Sequence, residues 1–186
     1  MPFKFEQTDL PGVIHIHPRR FADDRGWFSE SYKYSEFNAA GIPERFVQDN
    51  QSFSMHGTLR GLHYQLPPYD QGKLVQVVSG RAWDVAVDIR RGSPTFGSSF
   101  GVELSAEEGN MLWIPSGCAH GFLSLEDGTR LLYKCTAEYH TASERSIRWD
   151  DPDLHIKWPS MPIGDPFILS DKDAVAPFLA QAEVFP

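Results

Sequence analysis

The sequence predicts an all-β protein, a sandwich or barrel of short strands with a few helical turns packed on it. Three observations lead there. Short apolar runs recur at roughly 8 to 12 residues between turn signals, the rhythm of a sandwich or barrel. Punctuation comes from 15 Gly and 14 Pro residues, which break every long periodic stretch. Aromatic residues reach 13% and favour pleated surfaces over helices.

Strands are expected at Gly12–His17, Trp27–Tyr34, Arg45–Ser54, Leu59–Gln65, Lys73–Ser79 and Ala82–Ile89. The series continues with Phe100–Leu104, Asn110–Pro115, Ala119–Leu125, Arg130–Glu138 and Ser146–Trp149. Between them fall Gly80, Gly92-Ser93-Pro94, Gly109, Pro115-Ser116-Gly117 and Asp127-Gly128. Helical signals are short. Ser35–Ala40 is stopped by Gly41 and Pro43, and Ser170 is placed to cap a second start with Asp173 at the third helical position. Pro177 interrupts that second helix, so residues 151–186 are expected as helical turns packed on the β-body.

With 186 residues, 41% hydrophobic and 23% charged, the chain resembles an average globular domain, which excludes a disordered tail, a collagen repeat or a disulfide miniprotein. No fixed repeat or linker divides it, so a single domain over residues 1–186 is expected. No run approaches the roughly 20 apolar residues of a membrane span, and MPFKFEQTDL has no signal-peptide core. A cytoplasmic protein is therefore expected, with no membrane partner and with Cys118 and Cys135 as reduced thiols. The net charge of −8, from 25 acidic and 17 basic residues, argues against nucleic acid as a partner. An anionic ligand would need a local cluster of Arg, Lys and His.

One such cluster has a recognisable spacing. Gly109, Pro115, Gly117 and His120 resemble the second signature of the cupin superfamily, lacking only its final Asn, where Ser124 stands. Gly57 and His63 fit the first signature, but Gln65 replaces its second His and Lys73 stands where its Glu belongs. The resemblance implies a cupin-type double-stranded β-helix, a jelly-roll barrel with short peripheral helices, mainly C-terminal. The departures argue against a metal. An ammonium has no lone pair to donate, and an amide is a poor substitute for imidazole. Two histidines and a lysine, with Arg60 nearby, suit proton transfer beside a developing negative charge.

Plainer readings compete at most of these positions. Arg60 and His63 fall on opposite faces of a regular strand, so both reach one ligand only if Gly61 permits a bulge. Lys73 fits a solvent-facing strand residue, and alternation against Val85, Val87 and Ile89 accounts for Asp84 and Asp88. His15 and His17 share a strand face without a third ligand nearby in sequence, which favours surface exposure. Cys118 reads as a buried inert thiol, and helix capping alone would explain Asp173.

A wider resemblance covers nearly the whole chain. The segments Asp24-Arg25-Gly26-Trp27-Phe28-Ser29-Glu30, Gln48-Asp49-Asn50-Gln51-Ser52 and Leu59-Arg60-Gly61-Leu62-His63-Tyr64-Gln65 resemble the dTDP-4-dehydrorhamnose 3,5-epimerase family. So do Lys73-Leu74-Val75, Asp84 through Arg90, Ser93 through Gly97, Trp113 through Phe122 and Leu169-Ser170-Asp171-Lys172-Asp173. The resemblance implies a metal-free, cofactor-free epimerase acting on a dTDP-linked 4-keto-6-deoxyhexose. It implies His63 as base, Asp173 as its hydrogen-bond partner, Tyr133 as acid and Lys73 facing the enolate oxygen. It further implies substrate contacts from Arg25, Glu30, Gln48, Asn50, Arg60, His120, Glu144 and Lys172, with Tyr139 stacked on the thymine. A homodimer is implied as well, its N-terminal strands (about residues 1–50) crossing so that Arg25 and Glu30 serve the neighbouring pocket, around a barrel of residues 51–150. Cys118 departs from the commoner aromatic at its position. Alternatives left open are an epimerase acting at one carbon only, a non-catalytic sugar-nucleotide-binding cupin, and a metal-dependent cupin, which Gln65 and Lys73 disfavour.

Overall fold

The computed structural model describes residues 2–161 and 166–186. Two antiparallel sheets face each other. The first contains β1 (Phe3–Gln7), β2 (Ile14–Pro18), β10 (Met111–Ile114), β7 (Lys73–Ser79), β12 (Thr129–Cys135) and β5 (Gln48–Ser54), in the spatial order β1-β2-β10-β7-β12-β5. The second contains β13 (Glu144–Ser146), β6 (Leu59–Gln65), β11 (Cys118–Ser124), β8 (Arg81–Asp88) and β9 (Ser99–Ser105), in the order β13-β6-β11-β8-β9. A separate hairpin pairs β3 (Arg20–Asp23) with β4 (Gly26–Ser29). The helices are short, α1 (Tyr34–Ala39) and α2 (Asp171–Ala174). This is the expected jelly-roll arrangement with short peripheral helices, although the longer of them, α1, precedes the barrel core and the helices are not mainly C-terminal.

The sheets pack face to face, and the outer face of each is covered over part of its width. Between the sheets lie Val75, Val77, Leu112, Leu131, Ala82, Ala86, Leu104 and Phe122. Outside the first sheet, Phe37 of α1 packs with Phe3, Ile16, Met111 and Trp113, with Phe3 and Phe5 edge-on to its ring. Outside the second, Val85, Val87 and Ala119 are covered by Leu154, Leu179, Ala182 and Phe185 of the C-terminal segment. Backbone bridges Thr58–Ile168 and Arg90–Phe185 pin that segment to the barrel.

Several expected elements differ in extent. β1 and β3 add to the expected series, although Phe3 and Phe5 alternate cleanly with Lys4 and Glu6. The run expected over Trp27–Tyr34 ends as a strand at Ser29, and Tyr34 instead opens α1. The last strand is Glu144–Ser146 rather than Ser146–Trp149, because its partners are Gln65, Tyr64 and His63. β2 pairs with β10 of the same chain, so part of the N-terminal segment belongs to its own barrel. No helix among the described residues is long and apolar enough to cross a membrane.

Candidate active site

The site is built where β6 bends. His63 stands opposite His120 of β11, yet Arg60 stands opposite Phe122, so Gly61 and Leu62 together face the single residue Gly121. That extra residue is the bulge the strand parity required, and it lets Arg60 and His63 line one cavity. Gly61 permits it with φ +118°; a Cβ there would lie 2.6 Å from the Gly121 Cα.

His63 Nε2 is 2.6 Å from Asp173 Oδ1, a carboxylate only 2% exposed and 110 residues later in the chain. Ser170 caps α2 as expected, its Oγ accepting from the Asp173 N–H at 3.2 Å. The same hydroxyl donates to Asp173 Oδ2 at 2.8 Å. Capping therefore does not exhaust Asp173; it aims the carboxylate at His63. Burial raises the Asp173 pKa, but the hydrogen bond and charge of His63, the Ser170 hydroxyl and the Gly61 N–H outweigh it and hold the carboxyl below its usual range.

Facing this pair, β7, β12 and β5 supply two rows of side chains. Lys73, Cys135 and Gln48 are neighbours across the ladder, and Val75, Tyr133 and Asn50 form the next row. Lys73 points inward and its Nζ donates to the His63 carbonyl at 3.4 Å, so its reading as a solvent-facing residue is corrected. Burial lowers the Lys73 pKa, opposed by Cys135, Asp84 and Glu144. Burial raises that of Tyr133, so its phenol holds its proton firmly.

His63 stands between two lobes of open space. One, about 260 Å³, is lined by Gln48, Asn50, Lys73, Tyr133, Tyr139 and Glu144. The other, about 370 Å³, is lined by Arg60, Leu169, Lys172, Asp173 and neighbours. Glu144 joins them, accepting from Tyr139 Oη at 2.9 Å and pairing with Lys172 at 2.6 Å. Burial raises the Glu144 pKa, yet its bonds to Lys172 and Tyr139 bring it below the ordinary value.

Three expected contact residues line neither lobe of their own chain. His120 is buried beneath the cavity floor, its Nε2 2.9 Å from Asp84 Oδ2. Arg25 sits at the exposed β3–β4 turn and pairs with Asp23 at 2.6 Å. Glu30, just past β4, lines neither lobe. Asp84 and Asp88 are both fully buried, which corrects their reading as ordinary alternation. β8 lies between β11 and β9 with both faces covered, so the polar face of its alternation looks inward. Asp88 binds Arg90, Ser93 and Thr95. Burial pushes the Cys118 thiol up to about 12, in keeping with an inert thiol.

The metal implied by the cupin signature does not fit these donors. Gln65 spends its amide on the Tyr69 and Glu138 carbonyls and on the His140 N–H. Lys73 occupies the carboxylate position, and each histidine has its Nε2 engaged by an aspartate. A second group, Glu6, His15 and His17, brings donor atoms within 4.8 Å of one another through the β1–β2 register, so His15 and His17 do find a third neighbour. His15 Nε2, however, accepts from Asn110 Nδ2 at 3.0 Å. Asn110 is held in that orientation by the Ser105 N–H and the Glu103 carbonyl.

The dTDP-4-dehydrorhamnose 3,5-epimerase model matches residues 7–181. The chain belongs to the dTDP-4-dehydrorhamnose 3,5-epimerase family. A family member from Pseudomonas aeruginosa is 50% identical over 184 residues, covering 98% of this chain and 99% of its own. The crystal structure of an epimerase from Legionella pneumophila, in complex with dTDP-4-keto-L-rhamnose, superposes with a TM-score of 0.90 at 47% identity over 96% of this chain and 94% of that one. A 3'-monoepimerase from Streptomyces bikiniensis, in complex with dTDP-quinovose, is similar at 38% identity and TM-score 0.85, covering 93% and 86%. This member of the epimerase family thus shares its barrel with proteins that invert one carbon as well as two.

Proposed function

We infer that the protein epimerises dTDP-4-dehydro-6-deoxy-D-glucose at C3 and C5, giving dTDP-4-dehydro-L-rhamnose. The ketone at C4 acidifies the C–H bonds on both neighbouring carbons. His63 takes the proton, and the bonding pair moves onto the ketone oxygen as an enolate. Asp173 orients the imidazole and stabilises the imidazolium that forms. Lys73 faces the enolate oxygen; a preorganised donor there lowers the barrier by about 3 kcal/mol. Tyr133 returns a proton to the opposite face; its phenolate, disfavoured by burial, regains one from solvent, and the His63 imidazolium gives its proton up to solvent before the second carbon reacts. The observation that carries this reading is His63, backed by Asp173, in a cavity shared with Lys73 and Tyr133.

The nucleotide is assigned to the flanking contacts: Arg60 and Lys172 toward the diphosphate, Gln48, Asn50 and Glu144 along the cleft, Tyr139 against thymine, and His120 behind the sugar. Tyr139 is half-exposed, with its ring free for stacking. Arg25 and Glu30 are assigned to the pocket of a second copy in a homodimer. Neither a metal nor a cofactor is required, because acid, base and electrophile are all side chains.

Incubation with the 4-keto sugar nucleotide in heavy water tests the reading. Deuterium is expected at both C3 and C5 of inverted product. Label at only one of the two carbons would establish the single-carbon epimerase instead. His63→Ala should abolish wash-in. Tyr133→Phe should retain wash-in but lose most inverted product; equal loss of both would remove Tyr133 as the acid.

A further inference from the structure

Below the cavity lies a carboxylate that the proposed reaction does not use. Asp84 is fully buried on β8. Its Oδ2 is 2.9 Å from His120 Nε2, while its Oδ1 is buried with no hydrogen-bond partner among the described residues. A carboxylate oxygen left bare inside a protein is costly unless positive charge stands nearby. The nearby cation is Lys73, whose ammonium has one hydrogen bond among the described residues, the long 3.4 Å contact to the His63 carbonyl. Lys73 is thus a half-buried cation with few protein hydrogen bonds, and Asp84 a buried anion with one oxygen unspent.

We propose that Asp84 is a positioning residue for the epimerisation, the fixed negative charge that orients His120 and keeps Lys73 an ammonium. The groups facing Lys73 are few. β12 presents Cys135, β13 Glu144, β8 Asp84 and β6 the His63 carbonyl, while β10 offers apolar Ile114. Of the carboxylates, Glu144 is already paired with Lys172 and Tyr139. Among these groups Asp84 alone combines full burial with a free oxygen. Burial favours the neutral amine, which could not stabilise an enolate; the carboxylate opposes that loss. Because Asp84 also accepts from His120 Nε2–H, one charge fixes the cation facing the enolate and the ring opposite His63.

The inference rests on the proposed epimerisation, and its test separates the two. The pH profile of kcat/KM is measured for wild type and Asp84→Asn with the 4-keto sugar nucleotide, after thermal melting shows that the variant folds. Removing the negative charge lowers the pH at which Lys73 loses its proton. The alkaline limb should move toward neutrality by about one pH unit, a tenfold loss on that limb. In a Lys73→Arg background, where the guanidinium stays charged, Asp84→Asn should leave the limb unmoved. Should Asp84→Asn not fold, His120→Asn removes the ring and frees the carboxylate for Lys73; its limb should stay at or above the wild-type pH. An unmoved limb in folded Asp84→Asn, a shift that persists in the Lys73→Arg background, or a limb that falls in His120→Asn would each overturn the inference. Absence of turnover by wild-type protein would instead overturn the proposed function.

Discussion

Asp173 does two things at once, closing α2 through Ser170 and holding His63. Its carboxyl sits below the usual range, against burial, because His63, Ser170 and the Gly61 N–H favour the anion. A group depressed in the folded state contributes stability above its unfolded pKa and loses it as pH falls through the folded value. Asp173→Asn should therefore melt below wild type at pH 7, and the gap should close as the pH drops below 3.8. Its kcat should fall by about 10²-fold or more, as for a base whose orienting carboxylate is removed. Thermal melts at neutral and acid pH check the first expectation and steady-state kinetics the second. A gap that stays constant would show that the charge contributes nothing.

At the scale of the strand, one glycine decides whether the site exists. Alanine at Gly61 would meet the Gly121 Cα at 2.6 Å and the His120 carbonyl oxygen at 2.8 Å, in a backbone conformation that L-residues avoid. Gly61→Ala should cost about 2 kcal/mol or more and abolish turnover, because Arg60 and His63 would no longer share a face. Retained activity in a folded variant would show that the bulge is incidental. This device was legible in the sequence, since two polar residues three apart on one strand cannot otherwise meet one ligand. The inward aim of Asp84 and Lys73 was not. Alternation divides a strand into two faces but does not say which is wet, and here both are covered: by the facing sheet within, and outside by α1 and its neighbours over β7 and by the C-terminal segment over β8. Nor could spacing place Asp173 at His63, because that contact joins residues 110 apart; resemblance alone suggested it.

Across the molecule, the β3–β4 hairpin stands apart from both sheets and exposes Phe21, Trp27 and Phe28 at 45%, 59% and 66%. Three large apolar side chains on one short ribbon suit burial against another surface. In the proposed homodimer the second copy would supply it, with Arg25 and Glu30 reaching into that copy's cleft. Mixing two inactive variants tests the exchange. Arg25→Ala and His63→Ala, co-refolded, should regain roughly a quarter of wild-type turnover, because one pocket in each mixed dimer is intact. Each alone should stay nearly inactive, and no recovery on mixing would confine both residues to one subunit.

The hydrogen bond between His63 and Asp173 joins the C-terminal segment to β6 at the cavity, and the bridges at Thr58 and Arg90 pin the same segment to the barrel. The ladders of both sheets are made without Asp173, but the imidazole is not aimed unless the late segment lies in its groove. Turnover is therefore a reporter of final docking, and a preparation with sound far-ultraviolet spectra yet little activity would be one whose tail has come loose.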